Sequence, residues 1–363
     1  MIQSVFEDIE VAGIMTAVPK KREILMERYK ESFGEEAVES FSKMVGVRER
    51  RISLEEQTAS DLAFVAAREL IKKKNIDKSE VGILVFVTQN PDYPVPATAC
   101  VLHERLRLSK NCIAFDVNMG CSGYVYGMQI ICSLLSTTNA LYGLLLVGDT
   151  SNNAIAPEDK SSAMLFGEGG SAILLQKNKN LSKICIGSKT DGTGYKSIIV
   201  PAGGARNRKA SHERTIWGDG NIRSDFDLYM KGVDIFTFAI FEVPALIQEF
   251  FEKTGEKKED YDSYVFHQAN VYILKQIVKR SKLPKDRVPI SMERYGNTSV
   301  TSIPLTICDR YGEAEGKKKL KFFTCGFGIG LSWGIASFQM DQEDIYPIIE
   351  TDEYYKEGGV SHD

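Results

Sequence analysis

Phe166-Gly167-Glu168-Gly169-Gly170-Ser171-Ala172-Ile173-Leu174 is a glycine-rich turn feeding a β-like run, and it has a counterpart later in the chain: Phe327-Gly328-Ile329-Gly330-Leu331-Ser332-Trp333-Gly334-Ile335. A second echo precedes each of them. One apolar run ends at Thr88-Gln89-Asn90, and another, Tyr264-Val265-Phe266, ends at His267-Gln268-Ala269-Asn270. Two echoes in the same order read as a duplicated fold with halves 1–178 and 179–363. The intervening pattern is α/β: Val81–Thr88 and Gly143–Gly148 are apolar runs of the kind covered on both faces, while 59–74 and 233–251 carry apolar residues at helical spacing. The polar, basic stretch from Gly203 to Asp225 reads as an excursion of the sort that borders binding sites.

Ala114-Phe-Asp-Val-Asn-Met-Gly-Cys121-Ser-Gly-Tyr-Val-Tyr-Gly-Met128 places one thiol between the end of an apolar strand and the start of a helix. The free N–H groups and positive dipole end of a helix favour a thiolate there. Gly120 and Gly123 let a substrate approach the backbone closely, so Cys121 is a candidate nucleophile.

The bulk numbers exclude several other classes. In 363 residues, 45 basic and 49 acidic side chains leave a net charge of −4, which supports neither nucleic-acid nor membrane binding. Seven cysteines without a C-x-x-C spacing suggest a reduced, cytoplasmic protein rather than a disulfide scaffold or metal site. No signal-like N-terminus or spanning apolar stretch is seen.

Of four histidines, His362 sits in a polar tail, His212 in the basic excursion and His103 in a helix-like stretch beside Glu104 and Arg105. His267 differs, because it closes an apolar strand, and strand ends are where α/β sites collect. Further on, Tyr295-Gly296-Asn297-Thr298-Ser299 reads either as a turn and helix cap or as an amide presented to a ligand. An amide N–H stabilises a developing oxyanion without gaining or losing a proton.

The chain resembles the ketoacyl synthase III family, the 3-oxoacyl-[acyl-carrier-protein] synthases of the thiolase superfamily. The resemblance is carried in order by Gly46-Val47-Arg48-Glu49-Arg50, Pro96–Cys100, Phe115–Tyr126, Phe166–Gly169, His267–Asn270, Tyr295–Ser299 and Gly326–Gly334. It implies a thiolase-like duplicated fold in five layers, α-β-α-β-α, and a homodimer whose sheets continue across the interface. By the same resemblance Cys121, His267 and Asn297 are catalytic. Cys121 takes an acyl group from acyl-CoA, and the backbone N–H groups of Cys121 and Ile329 form an oxyanion hole. Malonyl on an acyl carrier protein then loses CO₂, with His267 Nε2 and Asn297 Nδ2 holding the enolate oxygen. No cofactor or metal is implied. Substrate contacts are expected at Val95, Lys160, Gln268, Asn270, Tyr272 and Gly328.

The chain also departs from the family pattern. The tryptophan and arginine that sandwich adenine fall near Ser40 and Met44, and Lys160 stands where another CoA-contacting arginine is expected. Tyr272 replaces an arginine. Val95 replaces the phenylalanine that closes the partner's acyl pocket, making room for longer or branched chains. Two rivals share the residue types: a papain-like protease, which also runs Cys, His, Asn, and an acyltransferase delivering to an amine or hydroxyl. The basic run Lys317–Lys319 reads as a solvated edge suited to an acidic carrier protein, and the acidic tail beyond Gln342 as a solvent-exposed terminus.

Overall fold

The computed structural model describes residues 1–178, 183–314 and 316–356, so His362 lies outside the described residues. Two sheets form the frame. The first orders its strands as Ile349–Thr351, Ile9–Pro19, Gly169–Lys177, Tyr142–Asp149, Val81–Val87 and Ile113–Val117. The second runs Ile2–Phe6, Ile184–Thr190, Ser332–Asp341, Lys319–Gly328, Ser263–Phe266.

The duplication is visible in the pairing. Val81–Val87 lies parallel to Tyr142–Asp149, which is antiparallel to Gly169–Lys177, itself antiparallel to Ile9–Pro19. Ser263–Phe266, Lys319–Gly328, Ser332–Asp341 and Ile184–Thr190 repeat that run with the same senses. Each sheet also takes a strand from the far end of the chain: Ile2–Phe6 joins the second, Ile349–Thr351 the first. The segment beyond Gln342 therefore reaches the first sheet, contrary to the expected solvent-exposed tail. Its Ile345 is buried and bridges Ile14, and Ile349 pairs with Ala17 of Ile9–Pro19.

Three packed cores define the five layers. Helices Gly123–Thr137 and Ser302–Tyr311 sit between the sheets, where Tyr124, Met128, Ile131, Ile303 and Ile307 meet apolar residues from both. Helices Ala59–Lys73 and Thr98–Leu106 cover the outer face of the first sheet. Helices Gly232–Thr254 and Val271–Arg280 cover the second. Burial on both faces explains why the central strands read as continuous apolar runs. Among the described residues no helix is long and apolar enough to cross a membrane, and no cluster of His, Cys, Asp and Glu could hold a metal ion.

Candidate active site

Cys121 lies between strand Ile113–Val117 and helix Gly123–Thr137, and is 6% exposed. A Cβ on Gly123 would press into the Val87 side chain, so glycine lets the helix start tight against the sheet. Three groups favour the thiolate: the backbone N–H groups of Ile329 and Cys121, and the Ser299 hydroxyl. Burial outweighs them and pushes the thiol up to about 11. The expectation of a resting thiolate is thereby corrected: desolvation keeps the sulfur protonated at neutral pH.

The two backbone amides come from the expected places. Gly328 packs so closely that a Cβ there would sit 2.7 Å from Cys121 Cβ and 2.9 Å from Sγ. Its loop is fastened behind: Ser332 Oγ donates to the Ile329 carbonyl at 2.7 Å and lies 2.6 Å from Ser122 Oγ.

His267 closes strand Ser263–Phe266, its backbone N–H donating to Cys325 O at 2.8 Å and its ring meeting the Phe327 edge at 5.6 Å. Nδ1 lies 2.7 Å from Ser302 Oγ. Burial drives the imidazole down to about 3, so the ring is neutral at physiological pH. Asn297 is held by backbone bonds, its N–H donating to Leu165 O at 2.9 Å and its carbonyl accepting from Gly167 at 3.0 Å. Its Oδ1 accepts from the Ser299 N–H at 2.9 Å, which fixes the carboxamide.

Ser299 is thus the hinge of the site. It touches the Cys121 sulfur through its hydroxyl, the His267 ring through its backbone and the Asn297 amide through its N–H. The structure brings the three expected side chains together around this one residue. Ser299 itself has φ +49°, a left-handed conformation that costs roughly 1–3 kcal/mol and that the surrounding bonds maintain.

Sequence reasoning missed three contributors. Besides Ser299 and Ser302 there is Asp149, at the end of strand Tyr142–Asp149 and fully buried. Its Oδ1 accepts from Gln89 N at 2.8 Å and Thr88 Oγ1 at 3.2 Å. Among the described residues Oδ2 has no partner at hydrogen-bond geometry. Burial raises this carboxyl to about 6, against the pull of Ser299, Gln89 and Thr88. Its position at a strand end, after Gly143–Gly148, was the signal available in the sequence.

The remaining expected contacts divide. Gln268 is corrected: it is buried, with Nε2 donating to Phe266 O at 2.8 Å and Oε1 accepting from Ser291 N at 3.1 Å, so both ends of its amide serve the scaffold. Asn270 caps helix Val271–Arg280 by accepting from Tyr272 N at 2.7 Å. Tyr272 is exposed and stacks on Phe236 at 5.8 Å. Val95 is 81% exposed. Lys160 borders a surface cavity of about 1020 Å³ lined also by Arg28, Tyr29, Phe33, Asp219 and Asn221. The Gly203–Asp225 excursion contributes to that wall and is pinned there by Arg223, wholly buried and paired with Asp159 at 2.6 Å and Asp219 at 2.8 Å.

The chain matches the family profile described as 3-Oxoacyl-[acyl-carrier-protein (ACP)] synthase III over residues 115–194, and that of the same family's C terminal over 251–340. It is 32% identical over 335 residues to a beta-ketoacyl-[acyl-carrier-protein] synthase III of Clostridium perfringens, covering 92% of this chain and 100% of that one. A synthase of the same name from Caldanaerobacter subterraneus is 33% identical over 79% of this chain and 85% of its own. The crystal structure of a 3-oxoacyl-(acyl-carrier protein) synthase from Burkholderia xenovorans superposes with a TM-score of 0.88 at 34% identity, covering 96% and 99% of the two chains. Neither a papain-like protease nor delivery to an amine or hydroxyl is favoured by these likenesses. The duplicated thiolase-like fold and this run of relatives show that the chain belongs to the 3-oxoacyl-[acyl-carrier-protein] synthase III family of acyl-transferring, condensing enzymes.

Proposed function

We propose that Cys121 attacks an acyl thioester and carries the acyl group, that His267 and Asn297 serve the condensation, and that the acceptor is a malonyl thioester. The carbonyl oxygen becomes negative as the sulfur adds, and the N–H groups of Cys121 and Ile329, already turned toward the sulfur, suit that charge. Loss of CO₂ then leaves an enolate, so carbon deprotonation needs no strong base. A neutral imidazole and a carboxamide stabilise the enolate oxygen without changing charge. The observation that carries this reading is the convergence of Cys121, His267 and Asn297 on Ser299.

The acyl donor is acyl-CoA or acyl carrier protein, and no cofactor takes part. Tyr29 and Phe33 stack at 5.4 Å, and Lys160 Nζ lies 5.9 Å from the Phe33 ring, offering an aromatic and cationic face to the donor's nucleotide end in place of the missing clamp. Lys275, Lys279 and Arg280 present exposed positive charge on helix Val271–Arg280 to an acidic carrier protein, whereas Lys318 is engaged with Asp262 at 2.5 Å. The halves 1–178 and 179–363 are proposed as the duplicated units, each lending a terminal strand to the other's sheet. Two copies pair into a cytoplasmic homodimer in which Val95 borders the partner's acyl pocket.

Mass spectrometry after exposure to acyl-CoAs of increasing length tests the reading. The parent gains one acyl group at Cys121 and releases CO₂ from malonyl thioester, with chains of six to ten carbons accepted as readily as acetyl. Cys121→Ala gains none and makes no 3-oxo product. A variant that turns over thioesters at the parent rate would refute the assignment.

A further inference from the structure

Ser302 opens helix Ser302–Tyr311 and is buried. Its hydroxyl oxygen stands 2.7 Å from His267 Nδ1 and 2.8 Å from the Ser299 carbonyl oxygen. A hydroxyl has one proton to donate, and a carbonyl oxygen only accepts. Two arrangements satisfy all three atoms. In one, Ser302 donates to Ser299 O and accepts from Nδ1–H, which leaves His267 Nε2 bare. In the other, Ser302 donates to a bare Nδ1, and Nε2 carries the proton, while Ser299 O still accepts from the Ser302 N–H. Thr306 Oγ1 donates to the Ser302 main-chain carbonyl at 2.7 Å, fixing the backbone while the hydroxyl stays free to turn.

The chemistry proposed above asks one thing of Nε2. The enolate oxygen needs a donor.

We propose, resting on that reading, that Ser302 is a positioning residue whose hydroxyl, by donating to Nδ1, keeps the proton of a neutral His267 on Nε2, where it holds the enolate oxygen in condensation. In acyl transfer Cys121 gives up its proton to water, the sulfur bonds the acyl carbon, the donor's C–S bond breaks, and the departing thiolate takes a proton from water and leaves as a thiol. On decarboxylation the electron pair of the broken C–C bond becomes the enolate, held by Nε2–H. Its carbon attacks the acyl carbonyl, the C–S bond to Cys121 breaks, and the sulfur recovers a proton from water.

Ser302→Ala tests this, because the Ser299 carbonyl remains near the ring to receive Nδ1–H and so holds Nε2 bare. Acylation is read as the Cys121 adduct from hexanoyl-CoA, and decarboxylation as CO₂ from malonyl-CoA. The ratio of decarboxylation to acylation is expected to fall roughly 100-fold, the cost of one lost oxyanion donor. The ¹⁵N spectrum of the ring, assigned with His267→Asn, is expected to show the proton on Nδ1 in the variant and on Nε2 in the parent. An unchanged ratio, with both rates kept or both lost together, overturns the proposal, and so does a tautomer that ignores the substitution. A parent that neither acylates nor releases CO₂ instead overturns the function proposed above, while the ring spectrum still decides what Ser302 does.

Discussion

Asp149 illustrates how a buried residue beside a reactive one stores a pH-dependent cost. Its carboxyl titrates near 6 in the folded protein, against about 3.9 in an unfolded chain. A raised carboxylate pKa means that the folded state holds the proton more tightly, so the contribution to stability is complete below about pH 4 and is lost as pH rises through 6. Asn keeps an Oδ1 for Gln89 and Thr88 without the charge. Asp149→Asn is therefore expected to be more stable than the parent by about 2 kcal/mol at pH 8, with the difference gone at pH 4, as read from denaturant midpoints at the two pH values. A constant difference across that range would mean that the carboxyl is not the source. At this scale the sequence displayed Cys121, His267 and Asn297, because each is a polar or thiol group ending an apolar run or following a glycine turn. Asp149, Ser299 and Ser302 stayed hidden. Their roles depend on which atoms they face across the interior, and no local spacing encodes that. The same reason explains Gln268, which shares a motif with His267 yet points both ends of its amide into the scaffold.

The glycine-rich turn at Phe166–Gly169 and the turn at Tyr295–Asn297 form one unit, although they lie far apart in the chain. Phe166 bridges Asn297, and the Asn297 backbone bonds to both Leu165 and Gly167. Glu168 ties the same loop down from the other side, accepting from Ser53 N at 2.6 Å and Asn152 Nδ2 at 3.0 Å. A Cβ on Gly167 would be driven into the Tyr295 carbonyl, and Gly296 turns at φ +66°, where side chains are strained. Gly167→Ala is expected to cost about 1–3 kcal/mol in denaturant titration and to slow condensation more than acylation, since it displaces Asn297 and leaves Cys121 on its own element. Equal slowing of both steps would show that the turn supports the fold alone. The repeat of this turn in the second half was legible as a glycine pattern. Its purpose differs: the first copy positions Asn297, and the second brings the Ile329 amide to Cys121.

Over the whole molecule, continuous apolar runs disclosed which strands are buried, but not the exchange of terminal strands, because a short strand's pattern does not name its neighbour. The first sheet ends on Ile113–Val117, whose outer edge is unpaired among the described residues, with Ile113 47% exposed. An open apolar edge is a template for another strand. Asp116 on this strand accepts from Thr98 N at 2.6 Å and Ala99 N at 2.7 Å, which locks the start of helix Thr98–Leu106, and the Val95 loop before it, to the edge. Pairing two such edges would extend the sheet and carry each Val95 toward the other copy. Ile113→Glu, placing a carboxylate on that seam, is expected to convert a two-chain species into a single chain in sedimentation velocity, with the far-UV spectrum unchanged. A parent that sediments as one chain would remove the dimer, and a variant that stays paired would move its interface to another face of the molecule.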